Sequence, residues 1–272
     1  VPVVYFVSPQ IWAWRRGRVR EVRRLVRRIL VLFPFEVGFY EEAGVPVTFV
    51  GHPVAERGGS GLSREELRAR AGLGARGEVI ALLPGSRREE VRRLLPVMLD
   101  AAAVVGKERA GLQRLVLQAP GLSRELVERL VSEHAGDDIR IHAGNFPEIL
   151  ACCDAGVVAA GTATLEAAAM GLPMVVVYRV SPISYLVGRL LVKLRNVALP
   201  NLITGRELVP ELIQGDCTAE AIAGELLGYL EHPARAQEVR RGLLDARDML
   251  GGPGVFDRAA EEVLKEIGAG RA

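Results

Sequence analysis

The sequence predicts an α/β protein built on parallel sheets. Three observations carry that reading. Short continuous apolar segments such as Val79–Leu83, Ala155–Ala159 and Met174–Tyr178 recur between stretches of helical length. Such runs mark strands buried on both faces, the condition of a parallel sheet covered by helices. Nearly half of the 272 residues (49%) are hydrophobic, enough for a packed core, and the length is that of roughly two domains.

Taken in order, residues 3–7 (VVYFV) read as a strand. Ser8-Pro9 and Ile11-Trp12-Ala13-Trp14 follow, then eight arginines within 15–28, with Val19, Val22, Leu25, Val26 and Ile29 at helical spacing. The spacing predicts one amphipathic helix with a basic face. A strand at 30–33, a helix from Pro34 to near Gly44 and a strand at 47–50 complete the first group. The glycine-rich stretch 57–63 is a linker or surface loop, and Ser63-x-x-Glu66 is a capping box. Strands are then expected at 79–83, 115–118, 139–142, 155–159 and 174–178, with helices at 87–105, 123–134, 147–153 and 163–170. An amphipathic run over 183–195, a loop at 199–205 and helices at 208–214, 218–231, 234–250 and 254–267 finish the chain.

Charge and cysteine content exclude several classes. The net charge of +2 provides no global field for nucleic acid. Cys152, Cys153 and Cys217 cannot form a disulfide framework, and no apolar run approaches membrane-spanning length. A reducing, cytoplasmic setting is expected. The four histidines are far apart, so no metal site is expected. Gly72-x-Gly74-x-x-Gly77 precedes its strand, so it is read as a plain loop.

Two motifs lie where strands should end and helices begin, the edge at which open α/β sheets bind ligands. Pro84-Gly85-Ser86-Arg87-Arg88 leads into a helix whose N-terminus favours an anion, and Arg87 adds a planar cationic fork. In Ala160-Gly161-Thr162-Ala163-Thr164-Leu165-Glu166, Gly161 admits close approach, Thr162 is a candidate cap, and Glu166 is placed to accept from ribose hydroxyls. Each motif also fits a solvated turn or an ordinary capped helix. Asn201 to Glu207 (NLITGRE) reads as a polar turn. The 183–195 run, edged by Arg189, Lys193 and Arg195, fits a membrane surface as well as a core.

In this order the motifs resemble the lipid-A-disaccharide synthase family, glycosyltransferases of GT-B fold. The stretches that carry the resemblance are YFVSPQIWAWRRGRV (5–19), LFPFEVGFYEEAGVPVTFVGHP (32–53), LLPGSRREEVRRLLP (82–96), AGTATLEAAAMGLPMVVVYR (160–179) and LPNLITGRELVPELIQ (199–214). The resemblance covers nearly the whole chain. It implies two Rossmann-like domains, here an incomplete N-terminal one over 1–52 and a UDP-sugar domain over 53–235. Residues 236–272 would return as helices toward the N-terminal domain.

The implied reaction joins UDP-2,3-diacylglucosamine to 2,3-diacylglucosamine 1-phosphate (lipid X), with inversion and release of UDP, in lipid A and lipopolysaccharide synthesis of Gram-negative bacteria. The implied setting is cytoplasmic and peripheral to the inner membrane, with homodimers among the family's states, no cofactor and no nucleic acid. Mapped onto this chain, the resemblance carries over Arg87, Glu166, Asn201 and Arg206 as substrate contacts, and the two turns themselves add Ser86, Gly161, Thr162 and Thr164. Ala143, Gly144, Asn145 and Phe146 would meet the uracil, while Arg87 and Asn201 would stabilise the leaving group or sugar. The resemblance implies a catalytic base upstream of Val1, and the opening strand, which needs neighbours in a sheet, is expected to follow further chain. The chain alone is therefore expected to bind UDP weakly and to make no disaccharide. Two other readings stay open: a different UDP-sugar enzyme (a peptidoglycan glucosaminyltransferase or UDP-sugar epimerase), or a basic membrane- or RNA-binding module.

Overall fold

The computed structural model describes residues 3–56, 61–134, 139–144, 146–181 and 196–269. The expected run at 183–195 lies outside them, as does Asn145. The chain divides into two compact units, one of 1–57, 182–195 and 246–272, the other of 58–181 and 196–245. These divisions fall five residues past the expected 52/53 and ten past the expected 235/236, the second inside a continuous helix, and 182–195 is assigned to the first unit instead of the second.

The first unit carries a parallel sheet of β1 (Val4–Phe6), β2 (Arg28–Val31) and β3 (Val47–Phe49), in the order β1-β2-β3. The basic stretch is not one helix. It breaks into α1 (Ile11–Trp14), a 3-10 turn at Arg16–Arg18 and α2 (Val19–Leu25), and Arg28 already opens β2. Val26 turns extended (φ −113°, ψ 128°) because β2 must enter the sheet between its neighbours. Val19, Val22 and Val26 still pack on Ile29, Val31 and Tyr40, whereas Leu25, expected on the same stripe, is exposed.

After α3 (Pro34–Glu42) and β3, the C-terminal helix α12 (Val255–Ala269) covers this sheet. Its Glu266 accepts from Arg28 at 2.7 Å, and its Glu262 accepts the Thr48 hydroxyl at 3.1 Å.

Glu36, 2% exposed, accepts the Phe33 N–H at 3.1 Å and the Trp12 indole N–H at 3.0 Å. Burial raises its pKa above the ordinary 4.5, against hydrogen bonds that lower it. A raised folded pKa gives stability that is complete below 4.5 and is lost as pH climbs through the folded value. Thermal melts against pH should therefore show a fall over that window in the wild type that Glu36→Gln lacks. Parallel curves for the two proteins would show that Glu36 is not the group responsible.

The second unit holds six parallel strands: β4 (Val79–Leu83), β5 (Gln113–Gln118), β6 (Ile139–Ala143), β7 (Ala155–Ala159), β8 (Met174–Tyr178) and β9 (Glu211–Ile213). Their order is β6-β5-β4-β7-β8-β9. Side chains alternate across it as a pleated strand requires. Ile80 and Leu82 meet α5 (Arg88–Glu108), α6 (Arg124–His134) and α10 (Ala219–Glu231). Val79, Ala81 and Leu83 face the opposite layer of α4 (Arg64–Arg70), α7 (Phe146–Leu150), α8 (Ala163–Ala169) and α11 (Pro233–Asp248). Each fully buried Leu, Ile or Val contributes on the order of 1.5–3 kcal/mol, so both faces hold the sheet.

The Ser63–Glu66 box opens α4 as expected, with Glu66 N–H to Ser63 Oγ at 3.2 Å. The 72–77 glycines form a loop, held by the buried Arg68 guanidinium donating to the Gly74, Ala75 and Gly77 carbonyls.

Near the end the expectations fail twice. The predicted loop at 199–205 is a helix, α9 (Leu199–Thr204), and the predicted helix at 208–214 contains β9, paired with β8. Pro200 sits in the first turn, where its missing N–H is harmless, and Gly205 (φ +67°) stops the helix. The Pro210 carbonyl accepts the Val176 N–H, which draws the next residues into the sheet edge. The last helix, α12, is Val255–Ala269. Among the described residues no helix is long and apolar enough to cross a membrane.

Candidate functional site

The strand order places the topological switch between β4 and β7, with Leu83 in register with Val158. Helices from the two strands leave on opposite faces there, which opens a crevice at the carboxyl edge. The turns at Pro84–Arg88 and Ala160–Thr164 leave these neighbouring strands, so the structure brings the two sequence motifs side by side.

At the first turn, Arg87 occupies the N-cap of α5 with an extended backbone (φ −102°, ψ 137°), and its side chain is exposed. Ser86 lies one residue further out, and its N–H is already donated to Glu90 Oε2 at 3.2 Å. Gly85 (φ +104°) makes this possible, since a Cβ there would stand 2.1 Å from that oxygen. An incoming anion would have to displace Glu90 to use the Ser86 N–H. Sequence reasoning overlooked Glu90, although a glutamate in a helix's first turn is a known signal for back-bonding.

At the second turn, Gly161 (φ +150°) faces open space and Thr162 is exposed. Thr162 does not cap α8 as expected: its backbone is helical and its side chain makes no cap bond. The hydroxyl that ties the turn is that of Thr164, wholly buried, donating to the Gly161 carbonyl at 2.7 Å. Glu166 stands half-buried within the first turn of α8. Ala143 and Gly144 are exposed at the end of β6, and α7, which Phe146 opens, packs on α8.

The other two expected contacts lie elsewhere. Asn201 is 0% exposed, and its amide is fully spent. Its Nδ2 donates to the Val209 carbonyl (2.9 Å) and Glu211 Oε1 (2.8 Å), and its Oδ1 accepts from Leu208 and Val209 N–H (2.8 and 3.0 Å). Glu211 in turn accepts the Val197 and Ala198 N–H groups just before α9. Asn201 therefore clasps α9 to β9 and offers nothing to a sugar. Arg206 belongs to the loop entering β9, a strand parallel to β8, so it lies toward the amino edge of the sheet. A Cβ at Gly242 of α11 would meet its Nη2 at 3.0 Å, which places the guanidinium against that helix. The lone glutamate in the apolar stretch VPELIQ was the available hint of a buried polar partner. Among the described residues no three His, Cys, Asp or Glu side chains cluster as metal ligands.

Comparison with known proteins narrows the chemistry. Residues 1–252 match the family model described as lipid-A-disaccharide synthetase. Proteins named lipid-A-disaccharide synthase from Geobacter metallireducens and Myxococcus xanthus are 43% and 48% identical to the chain. Both alignments take in 100% of the chain and 70% of the relative. Among solved structures, Anabaena Alr3699/HepE with UDP-glucose aligns with a TM-score of 0.57 at 13% identity, over 97% of this chain and 72% of that one. The S. aureus MnaA–UDP structure aligns at 0.59 and 11% identity, over 91% and 61%. A putative UDP-N-acetylglucosamine 2-epimerase from Listeria monocytogenes aligns at 0.57 and 13%, over 83% of this chain and 57% of its own. At such identities the likeness is one of fold, the GT-B arrangement of α/β layers.

Proposed function

Because the chain belongs to the lipid-A-disaccharide synthetase family of glycosyltransferases, we propose that its six-stranded unit holds the UDP moiety of UDP-2,3-diacylglucosamine at the β4/β7 crevice. Transfer goes to the 6-hydroxyl of 2,3-diacylglucosamine 1-phosphate. The observation that carries the proposal is the pair of turns, 84–88 and 160–164, on neighbouring parallel strands.

In the reaction the acceptor O6 forms a bond to the donor C1 as the bond from C1 to the diphosphate oxygen breaks. The O6 proton goes to a base, and the electron pair leaves with UDP. Charge therefore grows on the diphosphate, and a preorganised cation beside it lowers the barrier. Arg87, an exposed guanidinium at that edge, takes this role. Gly161 admits the phosphates to the backbone, the Thr162 hydroxyl is available to them, and Glu166 accepts from the ribose hydroxyls. Ala143 and Gly144 are placed for the uracil. No residue of this chain is assigned as the base, and Asn201 and Arg206 drop out of the contact set.

Calorimetry with UDP tests the ribose contact. Glu166→Gln turns a charged acceptor into a neutral one, and affinity should fall by roughly 1–3 kcal/mol. Unchanged affinity would remove Glu166 from the site.

Acylated substrates place the enzyme at the cytoplasmic face of the inner membrane. The exposed Trp14, with the Arg15 guanidinium over its ring, and the exposed Leu25 and arginines 20 and 24 of the same stretch support that reading. Flotation should show the chain on phosphatidylglycerol vesicles at low salt and off them at high salt, since Arg–lipid attraction is screened. Equal flotation with phosphatidylcholine would point away from a charge-led contact.

A further inference from the structure

A cleft of about 490 Å3 lies beside the Pro84–Arg88 turn, between the first turns of α5 and α6 where the chain leaves β4 and β5. It is on the β5 side of β4, away from the β4/β7 crevice, and Ser86 and Arg88 are the turn residues that also line it. Nothing in the donor chemistry uses it.

Its walls are chemically specific. Arg88 of α5 and Arg129 of α6 line it, and Ser86 and Ser123 add hydroxyls. Their neighbours on the same helices are ion-paired, Arg92 to Glu89 at 3.0 Å and Arg124 to Glu128 at 2.6 Å. Arg129 has only a 3.9 Å approach to Glu133, and Arg88 has no carboxylate partner among the described residues. Two helices, of 21 and 11 residues, begin at the cleft, so the positive ends of both dipoles favour an anion there.

The remaining lining is of another kind. Glu125, which accepts the Ser123 hydroxyl at 3.3 Å, is a hydroxyl acceptor, and Leu122 and Leu126 make an apolar wall. Behind the wall, the buried Gln118 fixes the lining loop by donating Nε2 to the Leu122 carbonyl at 2.8 Å.

We propose that this cleft is a subsite for a sugar phosphate monoester. Arg88, Arg129 and the first-turn N–H groups take the phosphate, a charge-assisted arrangement that a dianion matches. Glu125 takes a hydroxyl, and the leucines take the ring face. The volume falls in the range of small-ligand pockets. The inference rests on the proposed reaction in one respect: the acceptor there is a sugar 1-phosphate, and the cleft would hold its anionic end beside the donor turn.

Titration calorimetry of the chain with glucosamine 1-phosphate, inorganic phosphate and UDP tests it. Glucosamine 1-phosphate should bind with or without saturating UDP, at least fivefold tighter than inorganic phosphate. Arg88→Gln with Arg129→Gln should weaken it at least tenfold, as loss of charged hydrogen bonds does, and leave UDP affinity alone. Arg92→Gln should change neither. Phosphatidylglycerol vesicles should not displace it. Competition with UDP, affinity equal to that of phosphate, or indifference to the double change would each overturn the proposal. Displacement by the vesicles would do so too, by assigning the cleft to a lipid headgroup. A chain that binds glucosamine 1-phosphate but not UDP would sink the donor-site reading and leave the cleft standing. The reverse result would sink the cleft alone.

Discussion

Arg87→Ala is expected to slow disaccharide formation on the order of 100-fold, the usual loss when one donor to a developing charge is removed. The residue is exposed at the N-cap of α5, so the change removes no packing and the fold should survive it. The effect should appear in kcat and in UDP affinity, because the diphosphate carries charge in the ground state and more in the transition state. Arg88 is adjacent in sequence but lines the cleft on the β5 side. Arg88→Ala should therefore spare kcat and raise only the KM for the acceptor. The comparison is made in the enzyme as the cell makes it, with the diacylated donor. Equal, mild effects of both changes would mean that Arg87 is a solvated turn residue and that the crevice needs another cation.

Asn201→Ala should cost about 3–5 kcal/mol of stability, or very roughly 10 °C in Tm. The side chain satisfies two backbone N–H groups, one carbonyl and one carboxylate oxygen, all within 3.0 Å. Deleting it strands those groups where water cannot reach, and such networks fail as units. Asn201→Asp keeps the shape but sets a second carboxylate against Glu211, so it should be at least as harmful. Arg206→Ala, by contrast, should change stability by no more than about 0.5 kcal/mol, as exposed positions usually do, and leave UDP binding unchanged. An Asn201→Ala protein with wild-type melting but no UDP binding would return the residue to the ligand site.

The motifs at 84–88 and 160–166 were legible because their meaning is local. A glycine-bearing turn after an apolar run and before a helix can only sit at a strand's carboxyl end. The parallel register then makes the two turns neighbours. The Asn201–Arg206 motif was misread because its meaning depends on which way the following segment runs. Val209–Gln214 carries apolar residues compatible with either a helix or an edge strand. Pairing of β9 with β8 settled the matter, and it carried the preceding loop to the opposite edge of the sheet from the crevice. The arginine-rich stretch failed in the same manner: its valines have helical spacing, but β2 claims Arg28 onward.

By itself the sequence determined the α/β class, five of the six strands of the second unit to within two residues, and the family. Each of these follows from patterns spanning a few residues, where hydrophobic period and turn chemistry act without long-range help. Only the tertiary structure decided which polar residues are free to meet a ligand. Asn201 and Arg87 look equally available in the chain. One is walled in by α9 and β9 with every hydrogen bond spent, and the other stands open at a helix start. Burial and hydrogen-bond satisfaction are set by neighbours distant in sequence, so no local pattern could distinguish them.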